Sequence, residues 1–423
     1  MHPASVTPRY VVRRIAPSTV SDPMRLVHVI ASLDPAQGGP PVVAARLGAA
    51  QRERGHQVEV LGYGTEEGRP RVESMLASTP QPGPQALHLL TAGSKWERLR
   101  AQRASDWLKE HLSGVDLLHL HGVWDPILHA AARTAKRQGI PWIVTPHGML
   151  DPWSMTQSRL KKKIALRGWV GPTILDGARF IHALNKDEIQ GMAPLVRSTP
   201  MEVVPNGVFI EELTPPAETG AFRKSSPFLG GDPYVFFLSR LHYKKGLDVL
   251  VDAFTKAQKC CPSARLVIAG PDDGYEATVR GLIAESPARD RIHLVGPLYG
   301  DAKRNALIEA NCFCLPSRQE GFSIAITEAL GFGTPVVITD ACHFPEVESA
   351  GAGHVVDLNG DAVAAALVDT LQDQDARDAM GASGARLVRE DYTWPSIAAR
   401  FDELFEEYEC SCSKSQATRN VAE

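Results

Sequence analysis

Residues 25–64, RLVHVIASLDPAQGGPPVVAARLGAAQRERGHQVEVLGYG, decide the fold class of this chain. The apolar run RLVHVIASL predicts a strand, DPAQGGP a Gly/Pro loop, PVVAARLGAAQRERG a helix and QVEVLGYG a second strand. Strands that are apolar on both faces are typical of a parallel sheet covered by helices. The stretch therefore predicts one strand–helix–strand unit of an α/β protein.

The same alternation continues along the chain and is interrupted once. Before residue 205 it recurs in VDLLHLHG, ILHAAARTAKRQG, PWIVTPHG and RFIHAL, and after residue 233 in YVFFLSR, GLDVLVDAFTKAQ, RLVIAG, RIHLVG, DAKRNALIEA, CFCLP and PVVIT. The segment between, PNGVFIEELTPPAETGAFRKSSPFLGGDP, is rich in Pro, Gly and Ser, which indicates a linker. We expect two doubly wound domains with a cleft between them.

The composition excludes several classes of protein. A hydrophobic content of 43% and a charged content of 22% are typical of a soluble globular protein, and 423 residues favour two cores over one. The net charge of −4 gives no reason to expect nucleic acid as a partner. No apolar run reaches the roughly 18 residues that span a bilayer. The seven cysteines indicate buried free thiols rather than a metal site or disulfides.

Cations follow the first predicted strand of the second half. Arg240 comes directly after YVFFLS, Lys245 lies five residues later, and Gly246 opens the next helix. Two cations at a strand–helix junction suit an anionic group such as a diphosphate. A solvated basic turn is the alternative, and this pair alone does not decide between them.

Two glutamates mark a second junction, in EGFSIAITEAL at residues 320–330. Glu320 precedes Gly321, where the backbone can approach a ligand, and Glu328 lies inside the predicted helix. An ionised carboxylate accepts hydrogen bonds from two hydroxyls at once. A ligand with a diphosphate at its centre and hydroxyl-rich groups at both ends is a nucleotide sugar. The two junctions together therefore predict a nucleotide-sugar site.

These motifs resemble those of the retaining glycosyltransferases of family 4, the group 1 glycosyltransferases with the GT-B fold. Besides SRLHYKKGLD and EGFSIAITEAL, the resemblance includes the Gly38–Gly39 loop, TPHG around His147, NG at 206–207 and a helix after Trp394. It implies two Rossmann-like domains facing a central cleft and a C-terminal helix that crosses back to the first domain. The implied divisions are a disordered leader at 1–23, an acceptor-side domain at 24–208 with a helix at about 395–410, a nucleotide-sugar domain at 209–394, and a flexible tail at 411–423.

The resemblance also implies the catalytic residues. Arg240 and Lys245 would neutralise the donor diphosphate and stabilise the leaving nucleotide. Glu320 would hold the transferred sugar, and His147 would lie at the reacting centre, hydrogen-bonded to that sugar. No metal or other cofactor is expected, because basic side chains and a helix start carry the charge that a divalent ion would otherwise stabilise.

A second set of residues is implied for donor binding: Glu328 on the ribose, Gly39 where the backbone nears the phosphates or the acceptor, and Gly321, Phe322 and Ser323 beside the donor sugar. Two positions depart from the family pattern, since Ser239 and Ser323 stand where glycine is common. The departures leave the donor sugar and its base open among UDP-, GDP- and ADP-linked donors.

The histidines of the first half fall into two groups. His119 and His121 in LHLHG are two residues apart, so both point to one face of a strand, and they are either ligands or structural and acceptor-side residues. His147 is followed by a glycine at the carboxyl end of a strand, a placement that favours a functional role.

The segment SRLKKKIALRGWVG, residues 158–171, has two interpretations. One is a surface helix docked on the core through Leu160, Ile164 and Trp169. The other is a cationic patch, with Lys161, Lys162 and Lys163 at its centre, that meets anionic lipid head groups or a lipid diphosphate. The resemblance implies a carbohydrate or polyprenyl-linked acceptor, and a cytoplasmic enzyme with peripheral contact at the inner membrane.

The sequence as a whole predicts transfer of a sugar from a nucleotide donor to an acceptor hydroxyl with retention of the anomeric configuration, in polysaccharide or glycolipid biosynthesis. The alternatives are another GT-B activity, either a phosphorylase or a nucleotide-sugar epimerase, and a non-catalytic nucleotide-sugar-binding subunit.

Overall fold

The computed structural model describes residues 22–77, 79, 86–91, 94–156, 159–216, 218 and 220–419. Within them the chain divides into two compact units. The first runs to Asn206 and takes up the chain again from Trp394, and the second is Gly207–Thr393. Of the predicted leader, only residues 22 and 23 are among the described residues.

The described part of the first unit contains a seven-stranded sheet in the order β3-β2-β1-β4-β5-β6-β7, with every pairing parallel. Its strands are β1 (Arg25–Ser32), β2 (Gln57–Gly64), β3 (Ala86–Thr91), β4 (Leu117–His121), β5 (Trp142–Thr145), β6 (Ile181–Ala183) and β7 (Met201–Val203). Its helices are α1 (Gly39–Glu53), α2 (Arg69–Ala77), α3 (Lys95–Arg100), α4 (Gln102–His111), α5 (Pro126–Gln138), α6 (Pro152–Thr156), α7 (Arg159–Ala165) and α8 (Lys186–Met192), with a 3₁₀ turn at Pro35–Gln37 and a π-helical stretch at Leu166–Leu175.

The core of the first unit follows from the apolar strands. All five residues of β4 are buried, although two of them are histidines. α5 presents an alanine-rich face to the sheet and ends at Gly139, which adopts φ 73° and so closes the helix in the left-handed conformation that glycine favours. The strand order reverses between β1 and β4, which creates the switch point at which ligands bind in doubly wound folds.

The described part of the second unit contains a six-stranded parallel sheet in the order β10-β9-β8-β11-β12-β13. Its strands are β8 (Tyr234–Leu238), β9 (Arg265–Ala269), β10 (Ile292–Gly296), β11 (Cys312–Leu315), β12 (Val336–Thr339) and β13 (Gly353–Val356). Its helices are α9 (Ala221–Ser225), α10 (Leu247–Ala257), α11 (Glu276–Glu285), α12 (Gly300–Ile308), α13 (Ile324–Gly331), α14 (Glu346–Ser349), α15 (Gly360–Gln372) and α16 (Gln374–Asp391), with 3₁₀ turns at Ile210–Leu213, Pro227–Leu229, Tyr243–Lys245, Arg289–Arg291 and Asp340–Cys342.

Gly246 is essential to the tight packing at the switch point of the second sheet. It has φ 66°, and a Cβ atom there would lie 1.8 Å from the carbonyl oxygen of Pro316, which follows β11. Only glycine fits this contact, so α10 starts directly beside the end of the neighbouring strand. The structure confirms the predicted pair of doubly wound, Rossmann-like sheets.

The last helix, α17 (Trp394–Arg419), belongs to the first unit, as the resemblance implied. It packs against α1, where Asp402 pairs with both Arg54 and His56. The helix extends past residue 410, where a flexible tail was predicted to follow. After Pro395 no proline or glycine interrupts this stretch, so nothing in the sequence ends the helix earlier. None of the described helices is both long and apolar enough to cross a membrane.

Candidate active site

The charged residues predicted for the second half come together at the switch point of its sheet. Arg240 follows β8 and Glu320 follows β11, and these two strands are neighbours. Lys245 Nζ lies 2.6 Å from Glu320 Oε1, and Ser317 Oγ donates to the same oxygen at 2.6 Å. Both charged side chains are largely buried, so the pair fixes the position of the carboxylate.

Glu328 has a lysine partner that the sequence did not reveal. Lys303, on α12, places its Nζ 2.6 Å from Glu328 Oε1 on α13. Each of the two predicted glutamates is therefore held by one ammonium group. No local motif distinguishes Lys303 from Arg304, the other basic residue of its helix, and only the packing of α12 beside α13 brings Lys303 to the site.

Arg240 is the most accessible of the predicted catalytic residues. Its side chain is 65% exposed and forms an ion pair with Asp273. The adjacent Asp272 accepts hydrogen bonds from the backbone N–H groups of Glu276, Tyr275 and Gly274 in the following turn. These bonds, that from Glu276 above all, lower the pKa of its carboxyl group. The guanidinium of Arg240 is thus placed at the surface by an acidic turn, with its second face accessible to a ligand.

The three residues after Glu320 have different surroundings. Gly321 is exposed, and Phe322 lies within ring-contact distance of Phe344 and Tyr392. Ser323 is the N-cap of α13, because its Oγ accepts the N–H of Ile326 at 3.4 Å. The hydroxyl that stands where the family often has glycine therefore caps a helix. Contacts of these residues with a donor stay predictions.

Of the two glycines before and at the start of α1, the first is the one whose backbone conformation favours glycine. Gly38 has φ 118°, and a Cβ atom added at Gly39 would meet no atom within 4 Å. The open space beside Gly39 leaves the start of α1 accessible to a ligand, so its predicted role is compatible with the structure and stays a prediction.

His147 occupies a strained turn after β5. It has φ 53°, a value that costs a residue with a side chain about 1–3 kcal/mol, and Gly148 follows at φ 71°. The turn is held by the buried Glu188, which accepts the N–H of Gly148 at 2.8 Å and that of Leu184 at 2.6 Å. Strain that is held in place by other contacts is typical of functional positions.

A chain of three imidazoles extends inward from His147. His147 Nε2 lies 3.0 Å from His121 Nδ1, His121 Nε2 lies 2.9 Å from His28 Nδ1, and His28 Nε2 lies 2.8 Å from Gln51 Oε1. Burial lowers the pKa of His28 to about 4 and that of His147 to about 3, and it puts the pKa of His121 well below its ordinary value. All three rings are therefore neutral at pH 7.

His119 belongs to a second, separate chain. Its Nε2 lies 2.6 Å from Thr145 Oγ1, which lies 2.6 Å from His182 Nδ1, and His182 Nε2 donates to the carbonyl oxygen of Val204. Ligand atoms of His28, His119 and His121 lie within 4.8 Å of one another. Of the two alternatives that the sequence left open for His119 and His121, these contacts support the structural, hydrogen-bonded one.

A pocket of about 430 Å³ lies within the first unit, at the carboxyl ends of β1, β2 and β4. Its polar lining includes His121, Asp125, Arg71 and Arg98, and burial raises the pKa of the Asp125 carboxyl group. Arg71 forms an ion pair with Asp34. Two guanidinium groups, a carboxyl group and an imidazole can together bind a hydroxyl-rich, anionic ligand. The sequence gave no pattern that would unite these residues, since they come from three separate segments of the chain.

The basic segment differs from its first interpretation. Leu160, Ile164 and Trp169 are 74%, 62% and 45% exposed, so they do not dock this helix on the core. Lys162 instead turns inward, where its Nζ donates to Ser154 O at 2.7 Å and lies 5.4 Å from the ring centre of Trp124. Of the three lysines at the centre of the predicted patch, Lys161 and Lys163 are therefore the exposed ones, and apolar side chains lie beside them.

Two family profiles match the chain. Residues 38–207 match the glycosyl transferase 4-like domain, and residues 218–387 match glycosyl transferases group 1. A GDP-mannose-dependent monoacylated alpha-(1-6)-phosphatidylinositol monomannoside mannosyltransferase of Corynebacterium glutamicum is 30% identical over 290 residues, which are 65% of this chain and 72% of the relative. The chain belongs to glycosyltransferase family 4, the group 1 glycosyltransferases.

Two further comparisons extend over nearly the whole family 4 chain. A phosphatidyl-myo-inositol mannosyltransferase of Mycobacterium leprae is 27% identical over 404 residues, which are 90% of this chain and 96% of the relative. The solved structure of Anabaena Alr3699/HepE in complex with UDP has a TM-score of 0.71 at 17% identity, covering 91% of this chain and 100% of the other. The likeness to that structure establishes the GT-B glycosyltransferase fold.

Proposed function

We propose that this glycosyltransferase moves a sugar from a nucleotide-diphosphate donor to an acceptor hydroxyl with retention of configuration. The observation that carries the proposal is the pairing at the second switch point, where Lys245 holds Glu320 and Lys303 holds Glu328. Cations for a diphosphate and carboxylates for sugar hydroxyls thus lie at the carboxyl ends of adjacent strands. A donor of this class has the matching sequence of charges and hydroxyls.

In the proposed reaction the bond between the anomeric carbon and the donor phosphate oxygen breaks, and a bond to the acceptor oxygen forms on the same face. The departing phosphate oxygen takes the proton of the acceptor hydroxyl. Arg240 and Lys245 stabilise the negative charge that develops on the leaving nucleotide diphosphate. With this charge carried by side chains, we expect transfer to continue in the presence of a chelator.

We assign the acceptor to the pocket of the first unit. Arg71 and Arg98 suit a phosphate, and Asp125 suits the hydroxyls of a cyclic polyol or sugar. The relatives named above are mannosyltransferases of phosphatidylinositol compounds, so a phosphate-bearing lipid is the first acceptor class and GDP-mannose the first donor to test. A polyprenyl-linked acceptor presents the same phosphate chemistry.

The exposed apolar side chains favour peripheral contact with a membrane. Leu160 and Ile164 project beside Lys161 and Lys163, and this combination suits the boundary between anionic head groups and acyl chains. A lipid-linked acceptor would be reached there. We therefore place the protein, when it acts, at the surface of a membrane that contains its acceptor.

The decisive experiment is to incubate the protein with GDP-mannose or UDP-glucose and with vesicles that contain phosphatidylinositol or a polyprenyl diphosphate sugar. The expected product is a glycolipid whose new anomeric bond has the configuration of the donor, read by NMR. A product of inverted configuration would overturn the retaining mechanism. Saturable donor binding without any transfer would favour a binding subunit, and phosphorolysis would favour a phosphorylase.

A further inference from the structure

We propose that His121 and His28 are positioning residues, which hold the imidazole of His147 with its hydrogen on Nε2 and a bare Nδ1 that accepts a sugar hydroxyl. The part about the sugar rests on the proposed function, whereas the part about the hydrogen concerns the free protein. The proposal rests on three consecutive hydrogen bonds, which run from His147 through His121 and His28 to Gln51.

The relay has only two arrangements, because a neutral imidazole has one donor and one acceptor. Whichever nitrogen of His121 donates, the other must accept, so both imidazole–imidazole bonds run in the same direction. In the first arrangement His147 Nε2–H donates to His121, His121 Nε2–H donates to His28, and His28 Nε2–H donates outward. In the second, every donor and acceptor is exchanged and His147 carries its hydrogen on Nδ1.

The amide of Gln51 selects between the two arrangements. Its Oε1 atom faces His28 Nε2 at 2.8 Å, and an amide oxygen only accepts hydrogen bonds. In this orientation of the amide, whose Nε2 atom has no hydrogen-bond partner among the described residues, His28 donates from Nε2 and accepts at Nδ1, which selects the first arrangement along the whole relay. A side chain on α1 thus determines the hydrogen position on a ring that lies beyond two others.

The second histidine chain follows the same rule independently. The carbonyl oxygen of Val204 can only accept, so His182 carries its hydrogen on Nε2, Thr145 donates to His182, and His119 donates to Thr145. His119 therefore takes no part in the relay, although its ring stacks on that of His121 with a centroid separation of 4.2 Å. The two neighbours on β4 serve two different networks.

The outer end of the relay is available to a ligand. His147 is partly exposed, and among the described residues no group pairs with its Nδ1 atom. His121, one bond behind it, lines the 430 Å³ pocket. A bare, neutral nitrogen at this position accepts a hydroxyl, whereas the other tautomer presents a donor. Loss of the relay would populate both tautomers and weaken that hydrogen bond.

A metal ion is the competing explanation of the same imidazoles. His28, His119 and His121 are close enough together to ligate one, and imidazole suits zinc, copper and nickel. The hydrogen bonds, however, already use both nitrogens of His28 and both of His121. The relay satisfies His28 and His121 without an ion, and His119 Nδ1 is the one ring nitrogen of the three that has no hydrogen-bond partner among the described residues. One available nitrogen does not make a metal site, so we favour the relay.

The test is long-range ¹H–¹⁵N correlation NMR of the full chain with ¹⁵N-labelled histidine, in which protonated and bare ring nitrogens resonate far apart. The signals of His147 are assigned by their loss in His147→Gln. We expect Nε2 to be protonated and Nδ1 bare at pH 7.5. In His121→Phe, which keeps a ring but removes both nitrogens, both tautomers of His147 should appear. His119→Phe, on the same strand and equally buried, is the matched control and should leave the signals of His147 unchanged.

Two variants of Gln51 test the relay without removing a histidine. Gln51→Glu, when its carboxyl group is ionised, presents only acceptor oxygens and should keep the wild-type tautomer, whereas Gln51→Met should lose the preference. With a nucleotide sugar and acceptor, Gln51→Met and His121→Phe should lose about tenfold in kcat/KM, as expected for one weakened hydrogen bond, and Gln51→Glu should lose much less.

Several results would overturn the relay: protonation of Nδ1 in the wild type, a cationic His147 at pH 7.5, an unchanged tautomer in His121→Phe and Gln51→Met, or a stoichiometric transition metal on the three imidazoles. The proposed function fails separately. If the tautomers behave as expected and no nucleotide sugar is turned over, the relay stands and the glycosyl transfer does not.

Discussion

The two units have the same arrangement of strands at their switch points and opposite chemistry. In the first, the ends of β4 and β5 carry neutral histidines joined by hydrogen bonds, such as His121 and His147. In the second, they carry ion pairs, such as Lys245 with Glu320. The shared backbone therefore does not determine which kind of ligand each half receives.

The difference has a physical reason. A neutral network can be buried completely because no charge loses its hydration, and the hydrogen bonds within it constrain the hydrogen positions. An ion pair near a surface can instead exchange partners. In the proposed reaction Arg240 would turn from Asp273 to the donor diphosphate, and Lys245 would share its charge with the phosphates. The first unit thus presents hydrogen-bonding groups in fixed positions, and the second presents ion pairs in which a ligand can replace one partner.

A lower pH should destabilise the first unit more than the second, and this is the largest difference that we expect between them. The unfolded chain protonates its histidines near pH 6.5, whereas His28 and His182 in the folded protein do so only at about pH 4 and His147 at about pH 3. Between these values the unfolded state binds more protons, so stability falls as the pH falls. Each such histidine lowers the free energy of unfolding by about 1.4 kcal/mol per pH unit.

Hydrogen exchange of the full chain at pH 7.5 and pH 5 checks this expectation. Amides of β1, β4 and β5 should lose protection at pH 5, while those of β8 and β11 should retain it. The second unit is its own control, because the pKa values of carboxyl groups such as those of Asp232 and Asp248 are lowered and these groups stay ionised at pH 5. Equal loss in both units would contradict the comparison.

Removing a cation from the second site should have the next largest effect. Arg240→Ala and Lys245→Ala should each reduce turnover about 100-fold or more, because a partner of the leaving diphosphate is lost. Lys256→Ala, which breaks an exposed ion pair with Asp252 on α10, is the control and should retain activity. Normal turnover of both site variants at saturating donor would exclude the diphosphate assignment.

Membrane contact should depend on one surface of the first unit, that of α7. Each lysine near an anionic membrane contributes about 1 kcal/mol, so Lys161→Glu/Lys163→Glu should weaken binding to anionic vesicles at least 30-fold at low salt. Lys162 is left intact, because it also holds Ser154.

The control for the vesicle experiment is Lys136→Glu/Arg137→Glu, two exposed cations at the end of α5. It has the same change in charge and should bind as the wild type does. Leu160→Ser/Ile164→Ser should also weaken binding, and the size of this loss should not depend on the salt concentration. Equal binding by all variants, or none by the wild type, would assign this segment to an ordinary solvated surface.

The smallest effect is expected at the ribose. Glu328→Gln keeps the shape of the side chain and loses the ionised acceptor, so it should raise the KM for the donor about tenfold with little change in kcat. Lys303→Met should act in the same direction, because it releases Glu328 from its partner. Equal use of normal and 2′-deoxyribose donors by the wild type would remove the proposed role of Glu328.

The sequence was sufficient for most of the fold and for one half of the site. Strongly apolar strands such as β1 and β4 were predicted from their composition, whereas β3, β7 and β13 were missed, being incompletely buried strands at or beside the edges of their sheets. Arg240, Lys245, Glu320 and Glu328 could be proposed from the sequence because their spacing is a linear pattern, and their roles stay predictions. Lys303 and His28 were missed. A histidine within LVHVI was a signal, since an imidazole in an apolar strand needs a buried partner.

What the sequence determined by itself was therefore the alternation of strands and helices and the short-range motifs, because both depend on residues a few positions apart. Only the tertiary structure decided which groups each side chain contacts. Gln51 and His147 are far apart in the chain. A helical projection does not show that Leu160 is exposed and that Lys162 turns inward, because it fits a buried Leu160 and an exposed Lys162 equally well. Such contacts are set by how the helices pack on the sheet, and no local pattern encodes that packing.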